Sequence, residues 1–340
     1  MYLIGDSGSK RSVYFDKAAA AKNLNVQHVD WKDINKGFDF KCFEGVVVKI
    51  DPPSYSTFSL TEALDEINIY RENLKRLSEC NAVFLNTPNA ILSTLDKREA
   101  KVTLENLDLS VTPLVMENVE NTEHLLTGMM EKGVFSVFIK PVIFSGAAGV
   151  AAFRLHKRSG RMKAYTSCKV QNGTLVNTKH LYVLEDKNEI IELLDKIINL
   201  DVIVERWVPK GSFNGKSYDF RIVHQFGHVA ADVARGSSGP ITNLHLNNIA
   251  IPAEDIWKSE DFIKRDLYSE VTKLCGSVAA AFDGLRMAGV DILIEKTSFK
   301  PRIIEINGQG DLIYKDIYNA NHIYMEQAEM CSKLERQKLL

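Results

Sequence analysis

Two segments near the end of the chain constrain it most. Gly289-Val290-Asp291-Ile292-Leu293-Ile294-Glu295 and Arg302-Ile303-Ile304-Glu305-Ile306-Asn307 read as a pair of strands joined by a short polar turn. Glu305 and Asn307 are two apart, so they point to one face of their strand. A register that sets Asp291 opposite Glu305 brings three oxygen-bearing side chains together amid Val, Ile and Leu. Carboxylates among such neighbours are costly unless a cation or a basic partner compensates. Oxygen ligands on a hard divalent ion that is also held by nucleotide phosphates suit Mg²⁺. The competing reading is a set of ordinary carboxylates on half-exposed strands.

The rest of the chain alternates in type. Within 1–90, short apolar runs (Tyr2 to Ile4, Val26 to Val29, Gly45 to Ile50, Ala82 to Leu85) alternate with helical stretches at 11–23 and 60–79. That alternation predicts an open parallel sheet. Leu60, Ala63, Leu64, Ile67, Leu74 and Leu77 recur at helical spacing. From 91 to 200 a helix carrying Lys97 to Leu104 precedes the strand Val134 to Pro141. A small-residue loop (Ser145 to Gly149), alternating antiparallel strands (150–183) and a helix at 188–199 follow. From 201 onward come Val202 to Glu205, a hairpin turning near Gly227, a helix at 261–283 and the strand pair described above. The tail after Asp316 reads as a charged, solvated terminal helix, with an oligomer or partner contact as the alternative.

Three domains are therefore expected, 1–90, 91–200 and 201–340, which suits a chain of 340 residues. A formal net charge of −2 gives no global attraction to nucleic acid or anionic membrane, so any basic site must be local. Five scattered cysteines without a CxxC pair argue against a disulfide framework or a structural zinc site. The first residues turn polar too soon for a signal peptide, and no apolar run is long enough to span a bilayer. The expectation is a cytoplasmic protein with neither a nucleic-acid nor a membrane partner. Gly5-Asp6-Ser7-Gly8-Ser9-Lys10 does not meet P-loop spacing and reads as a tight turn.

Two further segments carry chemistry. Lys140 closes an apolar strand just before Ser145, Gly146, Ala147, Ala148 and Gly149. Small residues let backbone N–H groups approach phosphates, and the lysine adds charge; a solvated lysine before a plain turn is the alternative. Glu205-Arg206-Trp207-Val208 ends a strand, where backbone groups could meet an adenine edge.

In this order and at these separations, the segments together resemble the ATP-grasp superfamily. The nearest branch is that of glutathione synthetases and ribosomal-protein glutamate ligases, over roughly residues 85–310. The resemblance implies an ATP-grasp fold behind an N-terminal open parallel-sheet domain. It aligns Lys97 and Lys140 with the two nucleotide lysines and Ser145 to Val150, including Gly146 and Gly149, with the loop that closes over phosphates. Glu205, Arg206, Trp207 and Val208 match the adenine hinge. Asp219-Phe220-Arg221 resembles an Asp-Ile-Arg element, and Arg235 an arginine near the transferred phosphate. Thr242-Asn243-Leu244-His245 resembles an Asn-Leu-His element. Asp291, Glu305 and Asn307 match the magnesium ligands.

Implied with it is ATP- and Mg²⁺-dependent ligation, with Mn²⁺ able to replace Mg²⁺. A small-molecule or peptide carboxylate becomes an acyl phosphate, and an amine then displaces phosphate to leave an amide. Arg221, Arg235 and Asn243 would serve catalysis, and Asp219 is a candidate to accept the amine's proton. Two alternatives share the fold: a kinase acting on a hydroxyl, and a non-catalytic ATP-binding regulator. The chain departs from the branch where substrate is expected. It has Ile241-Thr242 where the glutamate ligases carry an arginine, and Gly308-Gln309-Gly310-Asp311 in place of a proline-containing turn. Its first 85 residues match in α/β pattern alone.

Overall fold

Short buried strands separated by capped helices build the N-terminal layer. The computed structural model describes residues 1–55, 57–311 and 313–337. Gln27–Val29, Tyr2–Ile4, Val47–Ile50 and Val83–Phe84 form a parallel sheet in that order. Helix Lys10–Ala21 starts at Ser9, whose hydroxyl accepts from the Ser12 N–H. Helix Leu60–Ser78 starts the same way at Ser59. A polar cap of this kind satisfies an N–H that the helix leaves unpaired.

The central sheet is antiparallel, in the order Leu114–Met116, Val202–Arg206, Ser136–Pro141, Ala151–Leu155, Met162–Gln171, Thr174–Leu184. Val137, Ile139, Phe153, Val202 and Val204 face a core shared with helices Thr122–Glu131 and Lys187–Ile198. Because strand side chains alternate, Phe138, Lys140, Ala152 and Glu205 point to the opposite, cleft side. The third sheet runs Ile249–Ile251, His228–Ser237, Lys216–Gln225, Met287–Ile294, Pro301–Asn307, also antiparallel. Phe220, Ile222, Ala234, Val290, Ile292 and Ile306 face helix Leu267–Ala280. Asp219, Arg221, Arg235, Asp291, Glu305 and Asn307 occupy the alternate positions.

Two helices tie these layers together. Leu60, Ala63 and Ile67 of helix Leu60–Ser78 lie in the central core, whereas Tyr70, Leu74 and Leu77 lie in the N-terminal core. The expectation of a solvated terminal helix fails. Helix His322–Gln337 buries Tyr324, Ala328 and Cys331 against Leu3, Phe15 and Ala18, closing one face of the N-terminal sheet. Its buried residues, Ile323, Tyr324, Gln327, Ala328 and Cys331, recur at helical spacing within a charged sequence, so the charge count hid an apolar stripe. The last three residues of the tail lie outside the described ones.

Candidate active site

Antiparallel pairing assembles a chain of charges on the cleft face of the third sheet. Asp291 lies opposite Glu305, and Gly289 opposite Asn307, the register expected from the spacing. Asp291 also lies opposite Arg221, and Asp219 opposite Arg235. Arg221 donates from Nε and Nη2 to the two oxygens of Asp291, the second bond at 3.2 Å. Arg235 reaches Asp291 Oδ2 at 2.9 Å and Asp219 Oδ1 at 2.7 Å. Asp219 is 2% exposed. Burial alone would raise its carboxyl, but Arg235 and Lys210 outweigh that and hold it well below the usual range. Such bidentate and shared guanidinium contacts are strong because they are charge-assisted.

A second cluster faces this one from the central sheet. Glu205 is buried and bridges two lysines, with Oε1 2.7 Å from Lys101 Nζ and Oε2 2.5 Å from Lys140 Nζ. Burial pushes its carboxyl up, yet Lys140 and Lys101 pull it down further, to about 2. Lys101 also donates to the Thr112 carbonyl and hydroxyl. Lys97, one turn earlier on helix Lys97–Asn106, donates to the Phe144 carbonyl and lies 3.5 Å from Glu305 Oε1. Lys97, Lys101, Glu205 and Glu305 all line one narrow cleft between the two sheets. Lys101 is absent from the motif reading; its place four residues after Lys97, on the same helix face, was the available signal.

The loop after Lys140 is tightly specified. Gly146, Ala147 and Gly149 all have positive φ. At Gly149 a Cβ would lie 2.5 Å from Pro141 Cγ, so the loop can fold back on its own strand only with glycine there. Ala147 and Val150 pack against Ile241 and Leu246 of the third section, bringing loop and Asn-Leu-His element together. In the hinge, the Arg206 and Trp207 amides donate to Pro113 O at 2.8 Å and Ser136 O at 3.0 Å. Trp207 packs on Phe138 and Tyr165 beneath the Arg154 guanidinium, and Val208 is buried. The Glu205 side chain therefore turns to the lysines, and the hinge amides of 206 and 207 serve the fold.

Near the missing arginine at 241–242 stands Lys210. Its Nζ lies 2.7 Å from Thr242 Oγ1 and 3.0 Å from Asp219 Oδ2. A basic group thus occupies that corner, delivered by a different strand connection. Asn243 accepts the His245 N–H at 2.8 Å and caps the short turn Leu244–Leu246.

The donor set fits a hard cation. Glu305 is 21% exposed. Asn307 Nδ2 donates to Gly289 O at 3.2 Å, which leaves Oδ1 as its ligating end. Among the described residues no three His, Cys, Asp or Glu side chains cluster to hold a metal. Of the three expected ligands, Asp291 is held by Arg221 and Arg235; a Mg²⁺ ion bound here would draw on Asp291, Glu305 and the Asn307 amide oxygen together with phosphate oxygens.

Against known proteins, a model of the YheC/D-like ATP-grasp family matches residues 93–328. The chain belongs to that family. This match bears out the ATP-grasp superfamily and fold, without selecting the glutathione synthetase and glutamate ligase branch. No curated protein matches. Solved structures share the fold along nearly the whole chain. The D-cycloserine synthetase DcsG aligns with TM-score 0.61 and 14% identity, covering 98% of this chain and 99% of its own. The macrocyclase MdnC of Microcystis aeruginosa MRC, bound with precursor peptide MdnA, aligns at 0.57 and 12%, covering 98% and 100%. A D-alanine–D-alanine ligase from Bacillus anthracis aligns at 0.53 and 14%, covering 99% and 97%. At such identity the likeness is one of fold. Among the described residues of this ATP-grasp protein no helix is long and apolar enough to cross a membrane.

Proposed function

We propose that this ATP-grasp protein is an ATP- and Mg²⁺-dependent carboxylate–amine ligase that forms an amide through an acyl phosphate. One observation carries the reading. Lys97, on helix Lys97–Asn106, and Lys140, on the central sheet, stand opposite two arginines and an oxygen donor set on the third sheet (Arg221, Arg235; Asp291, Glu305, Asn307), with Lys97 3.5 Å from Glu305 across the cleft.

A substrate carboxylate oxygen attacks the γ-phosphorus of ATP, and the bond to the β-phosphate oxygen breaks to release ADP. The amine then adds to the acyl carbon, the electron pair of the broken C–O bond leaves on phosphate, and the amine's proton passes to the departing phosphate or to water, since Asp219 is paired with Arg235 and Lys210. Lys97 and Lys140 neutralise phosphate oxygens, and Arg235 stabilises charge on the transferring group. Arg221 presents a planar fork suited to a carboxylate. Bound Mg²⁺ would supply charge neutralisation between phosphates. The loop at Ser145 to Gly149 excludes water, which would hydrolyse the acyl phosphate. Arg221 and Arg235 pair with Asp291; phosphate oxygens of a bound nucleotide would compete for these guanidiniums, and Asp291 would then be free to hold a cation. The relatives named above support the ligase class, since they include a synthetase, a macrocyclase and a ligase.

The test is ADP and phosphate release from MgATP across pooled amino acids, dipeptides and peptide acceptors, with Glu305→Gln as control. Release of both products that depends on an acid and an amine, and is lost in the variant, is the expected result. Phosphate transfer to a hydroxyl without free phosphate would make the protein a kinase. Tight ATP binding with no turnover on any pool would make it a regulator.

A further inference from the structure

The loop at Ser145 to Gly149 consists of serine, glycine and alanine, side chains too small to pin it in one shape. Three consecutive side chains of the neighbouring strand Met162–Gln171 grip it instead. Thr166 Oγ1 donates to the Val150 carbonyl at 2.9 Å, and the Ser167 hydroxyl donates to the Ala147 carbonyl at 3.1 Å. The Gly149 N–H donates to Cys168 Sγ at 3.3 Å. None of the three gripping residues is more than 1% exposed.

Successive side chains of a strand point to opposite faces. Cys168 lies in the central core with Ala164, whereas Tyr165, two residues before Ser167, lies in the cleft-side cluster. The strand therefore holds the loop from both faces, Thr166 and Cys168 from the core and Ser167 from the cleft. The sheet is irregular at this point. Thr166 pairs with Tyr182 but Cys168 with Asn177, so Thr178 to Leu181 leave the ladder on strand Thr174–Leu184. Such irregularities re-aim side chains beside working sites. The Thr178 hydroxyl donates to the Ser167 carbonyl at 2.9 Å, and Leu181 joins the cluster that holds Ala147 and Ile241. Asn177 Oδ1 lies 3.0 Å from Ser167 Oγ, and the Asn177 amide donates to Phe58 O at 2.9 Å, next to the cap of helix Leu60–Ser78. The clamp is thus anchored on the first and third sections of the chain as well as on its own sheet.

The grip decides which loop amides are available. Those of Ala148, Gly149 and Val150 are spent on Ser145 O, Cys168 Sγ and Ala147 O. Among the described residues, the N–H groups of Gly146 and Ala147 have no acceptor. Both residues have positive φ, at 68° and 65°. Successive free N–H groups in such a turn form a concavity suited to an anion. A loop already held in that shape does not have to be ordered when the anion arrives, which lowers the cost of binding.

We infer that Thr166, Ser167 and Cys168 are positioning residues for the terminal phosphates of the nucleotide. They touch neither nucleotide nor acceptor. They act through the loop, keeping the Gly146 and Ala147 amides turned toward the phosphates. This rests on the nucleotide part of the proposed function and is the same for a ligase or a kinase.

The experiment is calorimetric binding, in Mg²⁺, of a non-hydrolysable ATP analogue and of AMP, which lacks the two terminal phosphates. The wild type should bind the analogue more tightly than AMP. Ser167→Ala and Thr166→Val should each weaken the analogue about threefold to tenfold, the worth of one hydrogen bond, at unchanged AMP affinity. Thr166→Ser, which keeps the hydroxyl, should bind the analogue as the wild type does. Hydrogen exchange across Ser145 to Val150 should quicken in the two weakened variants and not in Thr166→Ser. Thr166→Val decides the matter if Ser167→Ala fails to fold. Unchanged analogue affinity in both variants, or equal weakening of analogue and AMP, would overturn the proposal and leave the three residues a merely structural role. A wild type that binds AMP as tightly as the analogue would overturn it together with the nucleotide reading. The expected losses in a protein whose ADP release needs neither acid nor amine would uphold the positioning role and remove the ligase.

Discussion

The two charged clusters that face each other across the cleft are built on opposite principles. On the central sheet Glu205 is enclosed, each oxygen matched to one lysine, and is 2% exposed. On the third sheet Asp291 is shared between two arginines that have second partners of their own, Asp219 and Asp311. Neighbouring Glu305 is open to the cleft at 21%. Removing Glu205 strands two buried cations; removing Asp291 leaves its arginines paired elsewhere. The first cluster therefore holds the lysines in place, and the second can exchange partners when phosphate and a divalent ion arrive.

That contrast can be broken most sharply by two isosteric substitutions. Glu205→Gln should cost about 3–5 kcal/mol of stability, the penalty for stripping the counter-charge from a buried pair. It should also lower the denaturation midpoint measured with urea. Asp291→Asn should cost only about 1–2 kcal/mol, since its guanidiniums keep other carboxylates. Its ATP turnover should fall by about a hundredfold or more, the loss expected when a charge-stabilising group leaves the reacting centre. Equal stability losses in the two variants would erase the distinction between anchor and exchange site.

Acid sharpens the comparison further. The Glu205 carboxyl, held at about 2 against its ordinary 4.5, is depressed by folding. A depressed carboxyl contributes stability that is present above about pH 4.5 and lost as pH falls toward about 2. The shift corresponds to about 3 kcal/mol. Urea midpoints of the wild type should therefore fall through that window. Those of Glu205→Gln should start lower and fall less. Parallel curves for the two proteins would show that the acid response comes from other carboxylates.

Sequence patterning carried the local parts of this site and missed the long-range ones. The Asp291–Glu305 register follows from a two-residue period and a short turn, both local. The strand ending at Lys140 and its small-residue loop were visible for the same reason. Lys101 was not, because its meaning depends on Glu205, which a different strand brings to it. Lys210 stands in for an arginine expected more than thirty residues further on, a substitution in space that no linear motif records. Arg11 and Asp311 are three hundred residues apart and meet only because the terminal helix docks on the first sheet.

The smallest expected effect separates a structural asparagine from a catalytic one. Resemblance to the Asn-Leu-His element implies a catalytic role for Asn243, whereas its Oδ1 accepts the His245 N–H and caps the turn Leu244–Leu246. A cap is worth about 1 kcal/mol, and aspartate or serine can replace asparagine in that role. Asn243→Ala should therefore lower stability by about 1 kcal/mol and reduce turnover modestly, through a looser contact between Leu246 and the loop at Ala147. Asn243→Asp should restore both, because the cap oxygen returns. If Asn243→Asp stays as inactive as the alanine variant while its stability recovers, the side chain acts on substrate or phosphate through its amide nitrogen. The cap would then be incidental to its role.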